Sequence, residues 1–293
     1  MFTATLIATG RLTAQILSDA LDALAAAGCA PGDVAWLDDG DAADIRFCNA
    51  PAAARAALEG AFDRVDVVVQ PTAGREKGLL VADMDSTMIT VECIDELADY
   101  AGIKPRIAEI TEAAMRGELD FGQALDARVA LLRDLGADAI ERCRAERVRI
   151  MPGAEVLVKT MCARGATAIL VSGGFTAFAG PVGEAIGFDR VIANQLHVAE
   201  GRLTGTVAKP IVDSSTKERT LREARAELRL ADGQTLAVGD GANDLAMIGI
   251  AGLGVAYHAK PIVAEAAAAR VDHGDLTALL WAQGIARKDW VAI

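Results

Sequence analysis

Histidine is nearly absent from this 293-residue sequence: His197, His258 and His273 are three scattered residues and give no basis for an imidazole zinc site. Cysteine does not supply one either. Cys29, Cys48, Cys93, Cys143 and Cys162 include no CxxC pair, and an odd, widely spaced set does not make a disulfide framework. That usage points to a reducing, cytoplasmic setting. Proline is scarce, with 8 residues against 28 glycines and 52% apolar residues, which excludes a low-complexity or disordered chain. Basic residues are outnumbered, 29 to 41, giving a formal charge of −12. With no basic stripe to offset that charge, extended nucleic-acid binding is excluded. A small anion remains admissible where a few lysines and arginines make a pocket locally positive. No run of eighteen uncharged apolar residues offers a membrane span, and MFTATLIATG reaches Arg11 without the basic and apolar blocks of a signal peptide.

The first seventy residues read as a separate small unit. Phe2–Ala8 is a strand, Leu12–Ala27 a helix ended by Gly28, and Val34–Leu37 and Ile45–Cys48 are strands around the acidic turn. Ala50–Phe62 is an alanine-rich helix and Val65–Gln70 a β-branched strand. The order βαββαβ is that of a small α+β ferredoxin-like domain. Four basic and ten acidic residues give residues 1–70 half of the net charge. Pro71 to Gly74 reads as a boundary, which places the units at 1–72 and 76–293.

The larger unit is α/β. LLVAD (79–83), TAILVSGG (167–174), QTLAVGD (234–240) and LGVAY (253–257) are near-continuous apolar strands separated by helical segments. Such strands are buried on both faces of a parallel, Rossmann-like sheet. The interval from about 93 to 150 is mostly helical and too long for one crossover, so it reads as an inserted helical cap. Residues 191–207 alternate as a β-hairpin beside the main sheet.

Chemistry gathers at the strand ends, where open α/β sheets form their sites. VADMDSTMI delivers Asp83 to the end of a buried strand and Asp85 two residues on. Two carboxylates this close repel unless a cation or a shared proton holds them, and Mg²⁺ suits an all-oxygen ligand set. The pair can then divide labour, one attacking phosphorus and the other moving the proton. AVGDGANDLAMI repeats the pattern with Asp240, Asn243 and Asp244 around a tight turn. In LVSGGF, Ser172 can donate to a phosphoryl oxygen while the following glycine amides approach the anion closely. Lys217, in DSSTKERT, supplies a cation for the transferring group. Each string has a plainer reading as a cap, a turn or a surface residue.

These pieces, in this order, resemble the haloacid dehalogenase superfamily. DMDSTMITVECIDELA, DFGQALDARVALL, VSGGF, GDGANDLAMI and GVAYHAKP together resemble its phosphoserine phosphatase family over about residues 76–285. The resemblance implies that Asp83 is the nucleophile that becomes an aspartyl-phosphate. It implies that Asp85 protonates the leaving oxygen and later activates water. Asp83, the backbone carbonyl of Asp85 and Asp240 would ligate Mg²⁺, with Asp244 supporting the metal's water shell. Ser172, Gly173 and Lys217 would hold phosphoryl oxygens with Asn243 close by. Glu92 would face the substrate ammonium and Arg128 its carboxylate, and Met115 and Phe121 would close the pocket from the cap. The implied reaction is Mg²⁺-dependent hydrolysis of O-phospho-L-serine, the last step of L-serine biosynthesis. The rivals are another small phosphomonoester, transfer to another alcohol, or a non-catalytic amino-acid sensor. The N-terminal unit resembles ACT-type regulatory domains, with ATGRLTAQ a weak match to their ligand loop; this implies L-serine regulation or pairing as a homodimer.

Overall fold

The computed structural model describes residues 1–116 and 118–293, apart from the Met115 side chain; the expectation that Met115 closes the pocket lies outside the described residues. The chain opens with β1 (Phe2–Ile7), α1 (Ala14–Ala26), β2 (Pro31–Asp38), β3 (Ala42–Phe47), α2 (Pro51–Leu58) and β4 (Asp66–Pro71). These strands form an antiparallel sheet in the order β2-β3-β1-β4. The outer strands β2 and β4 flank β3 and β1 as the βαββαβ reading requires.

Alternation along these strands assigns each face a different partner. Ala4, Leu6, Ile45 and Val67 pack with the unit's own helices. Ile7, Ala42 and Val68 instead join the core that contains Leu276, Leu280 and Trp281 near the end of the chain. Polar residues of this sheet also bond across the junction. Gln70 Nε2 donates to the Ala282 carbonyl at 2.7 Å, and Trp281 Nε1 donates to Asp38 Oδ2 at 2.6 Å. The segment read as a boundary is itself anchored. Arg75 pairs with Asp44 at 2.7 Å, and buried Lys77 donates to the carbonyls of Gly74 and Gly233.

The larger unit continues with β5 (Leu79–Ala82), α3 (Cys93–Tyr100), α4 (Lys104–Met115), α5 (Phe121–Ala130), α6 (Asp138–Arg147), α7 (Ala154–Ala163), β6 (Thr167–Phe175), α8 (Thr176–Ile186) and β7 (Arg190–Asn194). There follow β8 (Leu196–Ala199), β9 (Arg202–Val207), α9 (Ser214–Glu227), β10 (Thr235–Gly239), α10 (Leu245–Ile250), β11 (Leu253–Tyr257), α11 (Pro261–Ala266), β12 (Ala269–Val271) and α12 (Ala278–Ala282). The main sheet is parallel, in the order β12-β11-β10-β5-β6-β7. Every residue of β5 is fully buried, with Leu80 and Ala82 in one core and Leu79 and Val81 in the other. Each of those leucines and the valine stabilises the fold by about 1.5–3 kcal/mol relative to exposure.

One expectation needs correction, and one strand was missed. Residues 191–207 are not one hairpin: β7 pairs in parallel with β6 as the sheet's outer strand, and only β8 and β9 form the hairpin. The strand β12 was not anticipated, because three residues, ARV, are too few to carry a periodic signal. No helix is long and apolar enough to cross a membrane among the described residues.

Candidate active site

The strand order sets β5 between β10 and β6, so their carboxyl ends bring Asp83, Asp240 and the Ser172 loop together. The Asp83 amide donates to Val238 of β10 at 3.0 Å, which holds the backbone in register one residue past the end of the strand. The Asp83 carboxylate, 5% exposed, accepts the Met84 amide at 2.8 Å and meets Lys217 Nζ at 2.6 Å.

Lys217 has no exposed surface because of where its helix starts. Asp213 caps α9 by accepting the Thr216 amide at 2.9 Å, and the inward face then carries Lys217, Thr220, Leu221 and Ala224. The ammonium bridges Asp83 and Asp244, at 2.6 and 2.7 Å. The two carboxylates hold its pKa above the usual lysine value against the opposing effect of burial.

Asp83, Asp240 and Asp244 each place a ligand oxygen within 4.8 Å of the others. Burial and the Asp83 charge push Asp240 up to about 6 and Asp244 up to about 7. One lysine does not neutralise three carboxylates, and an all-oxygen donor set of this kind fits Mg²⁺. The Asp244 carboxylate belongs to this cluster directly, whereas that of Asp85 does not.

Asp85 points to the other side. Its Oδ1 accepts the first amide of α3, from Cys93, at 3.1 Å. Burial, then Glu92 and Asp83, push its pKa up to about 7, with the Cys93 amide opposing. A carboxyl that titrates near neutrality next to a second carboxylate can give and take a proton within one cycle. Ser86, in left-handed backbone at φ 56°, donates its hydroxyl to Glu92 Oε1 at 2.9 Å. Burial also raises Glu92, with the Ser86 hydroxyl opposing.

The glycines of VSGGF are there for space. A Cβ on Gly174 would lie 2.9 Å from Asp85 Oδ2 and 3.0 Å from Ser172 Oγ; one on Gly173 would lie 3.1 Å from the Phe121 ring. Ser172 is fully buried, and its Oγ accepts the Gly174 amide at 2.8 Å. Asn194, which the sequence reading did not single out, locks this loop: its Nδ2 donates to Gly173 O at 2.8 Å and its Oδ1 accepts the Val212 amide at 2.8 Å. A lone asparagine ending a strand carries no signal for that role.

A cavity of about 490 Å³ opens above these groups. Asp83, Asp85, Asp240, Asn243 and Gly173 line its floor side, and Glu92, Phe121 and Arg128 line it from the helical insertion. Buried Ser172 and Lys217 lie outside that lining, in contact with the groups that form it. In α5, an Asp120–Gln123 capping box fixes the helix start, and Phe121, Leu125 and Arg128 then share the face toward the cavity. Arg128 has no carboxylate partner within ion-pair distance among the described residues, although burial disfavours its charge and Asp95 and Glu92 favour it. Lys260, also unanticipated, reaches the rim, and its amide donates to Asp240 O at 3.1 Å.

Comparison with known proteins agrees with this geometry. The profile of haloacid dehalogenase-like hydrolases matches residues 80–249, more than half of the chain. The chain belongs to that family. It is 47% identical over 236 residues to a phosphoserine phosphatase of Streptomyces coelicolor, covering 80% of this chain and 57% of that protein. It is 45% identical over 207 residues to one from a Polaromonas species, covering 69% and 88%. A probable phosphoserine phosphatase from Vibrio cholerae, solved without ligand, superposes with a TM-score of 0.78 at 33% identity, covering 98% of this chain and 88% of that one. The chain spans little more than half the length of the Streptomyces protein and of a Mycobacterium tuberculosis relative, at 57% and 56%.

Proposed function

We propose that this chain hydrolyses O-phospho-L-serine to L-serine and phosphate, as the last step of L-serine biosynthesis. One observation carries the reading. A buried carboxylate pinned by a lysine opens into a cavity whose far side holds a glutamate and an arginine with no carboxylate partner among the described residues. That arrangement answers the three charges of phosphoserine separately, with Arg128 for the carboxylate, Glu92 for the ammonium and the strand ends for the phosphate.

In this mechanism an Asp83 oxygen attacks phosphorus in line, and the bond from phosphorus to the serine oxygen breaks. Asp85, carrying a proton, gives it to that oxygen. Serine leaves, and Asp85 as carboxylate takes a proton from water, whose oxygen attacks the phosphorus of the aspartyl-phosphate. The Asp83–phosphorus bond breaks and phosphate departs. Lys217 keeps the attacking carboxylate oriented, and with Ser172 and Gly173 it holds phosphoryl oxygens, with Asn243 close by. Asp83, Asp240 and the Asp85 carbonyl, with Asp244 behind them, would hold Mg²⁺, which supplies positive charge for the phosphoryl oxygens when bound. Phe121 closes the cap over the substrate.

Within the same reading, residues 1–72 and 76–293 are the two domains and 93–150 the cap. The N-terminal domain serves L-serine regulation or pairs two copies as a homodimer. Its outer strand β2, with Val34 and Trp36 exposed, supports the second role. Five unpaired cysteines support a cytoplasmic setting.

The test is phosphate release from phosphoserine, phosphothreonine, histidinol phosphate and a sugar phosphate, with Mg²⁺ and with chelator. A metal-dependent preference for phosphoserine is expected. A broad profile, or one that peaks on another ester, would overturn the substrate; no release from any would overturn the reaction.

A further inference from the structure

A second cavity, of about 260 Å³, lies at the junction of the two sheets, away from the carboxylate cluster. Arg11 of the β1–α1 turn and Arg64 of the turn before β4 line one side, and Asp272, His273 and Gly274, just after β12, line the other. In a chain of charge −12 this wall is cationic. Its one carboxylate, Asp272, is already paired with Arg270 at 3.0 Å. Neither Arg11 nor Arg64 has an ion-pair or side-chain hydrogen-bond partner among the described residues.

The cavity is held in shape independently of any occupant. Asp66, 4% exposed, accepts the amides of Asp272, His273 and Gly274 at 2.8, 3.2 and 2.7 Å, which fixes the loop that presents His273. Ile7 and Ala8, both buried, contribute an apolar floor that strengthens charge attraction above it. Two arginines without a partner among the described residues, lining one cavity with a histidine over a pre-shaped apolar base, suit a small oxyanion.

We propose that this junction is a binding site for a small dianion, a phosphate-type group or a dicarboxylate, bridging Arg11 and Arg64 of one unit to His273 of the other. An occupant would also press on a short path to the first cavity. His258 Nε2 donates to the Gly274 carbonyl at 3.0 Å, and Lys260, two residues on, donates its amide to Asp240.

The three histidines make the test local. Imidazole resonances of the full, metal-free chain would be followed by NMR while phosphate, succinate or L-serine is added at constant ionic strength and pH. Phosphate, succinate or both should move His273 saturably and leave the distant His197 unmoved; which of them does so identifies the chemistry. The double variant Arg11→Gln/Arg64→Gln should weaken that binding tenfold or more while retaining unperturbed phosphomonoester hydrolysis. A shift at His258 without His273 would put the anion in the active site and overturn the proposal. So would a response of His273 that fails to saturate, survives the double substitution unchanged, or comes from L-serine alone.

Discussion

Replacing Lys217 by methionine removes the one cation between Asp83 and Asp244 while keeping most of the side chain's volume. The lysine has no exposed surface and contacts the two carboxylates at 2.6 and 2.7 Å. Removing one partner of a buried charge pair costs about 3–5 kcal/mol, because the remaining charge is left uncompensated. The variant can escape part of this by binding a proton. Asp244 already sits near 7 with the lysine present, raised by burial and by Asp83 against the lowering effect of Lys217. Loss of the cation moves it further up. A carboxyl with a raised native pKa holds a proton that the unfolded chain releases, so its contribution is intact below the unfolded value of 3.8 and is lost as pH rises through the native one. One such proton costs up to about 1.4 kcal/mol per pH unit, and because the wild-type carboxyl itself releases its proton near 7, the extra cost to the variant accumulates only above that pH. Urea unfolding without metal should therefore give a deficit for the variant that is nearly constant from pH 5 to 6.5 and about 1 kcal/mol larger by pH 8. Mg²⁺ should recover part of the deficit at pH 8. A deficit that stays flat from pH 5 to 8 would refute the argument and reduce Lys217 to a packing residue. If the variant does not fold at pH 8, the trend from pH 6.5 to 7.5 still decides.

Four further outcomes follow from the same geometry. Asp83→Asn should lower turnover by about four orders of magnitude while the fold is retained by circular dichroism, since the attacking oxygen is lost. Arg128→Ala should reduce kcat/KM for phosphoserine about 100-fold and for an aryl phosphate only slightly; equal losses would remove Arg128 from substrate selection. Gly174→Ala forces a methyl group to within 2.9 Å of Asp85 Oδ2. It should cost about 1–3 kcal/mol in urea unfolding and about 100-fold in turnover through a displaced Asp85. Asp240 near 6 and Asp244 near 7 retain protons that a divalent cation must displace. Calorimetry in buffers of different ionisation enthalpy should thus detect proton release on Mg²⁺ binding at pH 6 that vanishes by pH 9.

The sheet and the acidic strand ends were legible because each carries a local signal. VADMD and AVGDGAND pair an apolar run with acids at its end, and parallel strands place such ends side by side. Lys217 was legible as a cation but not as a buried one; DSSTKERT is a polar string, and only the Asp213 cap and the packing of α9 turn that residue inward. Asn194 and Lys260 act through contacts made only after the chain has folded, so no periodicity or spacing announces them. β7 was misread because alternating residues describe an edge strand of a parallel sheet as well as they describe a hairpin. Pro71 to Gly74 read as a boundary from its composition, and Arg75 and Lys77 tie the residues that follow it down.

The two-sided β1–β4 sheet also limits how the chain can be shortened. Ile7, Ala42 and Val68 are part of the same core as Leu276, Leu280 and Trp281. Trp281 and the backbone amide of Arg287 both donate to Asp38. A truncated protein beginning at residue 76 would present that tryptophan and its leucine neighbours to water as a fresh sticky surface. It would also leave the Asp272–Gly274 amides without the carboxylate that gathers them. Such a truncation would be prone to self-association whatever its catalytic centre could do, so an inactive fragment would say little about regulation by the missing part.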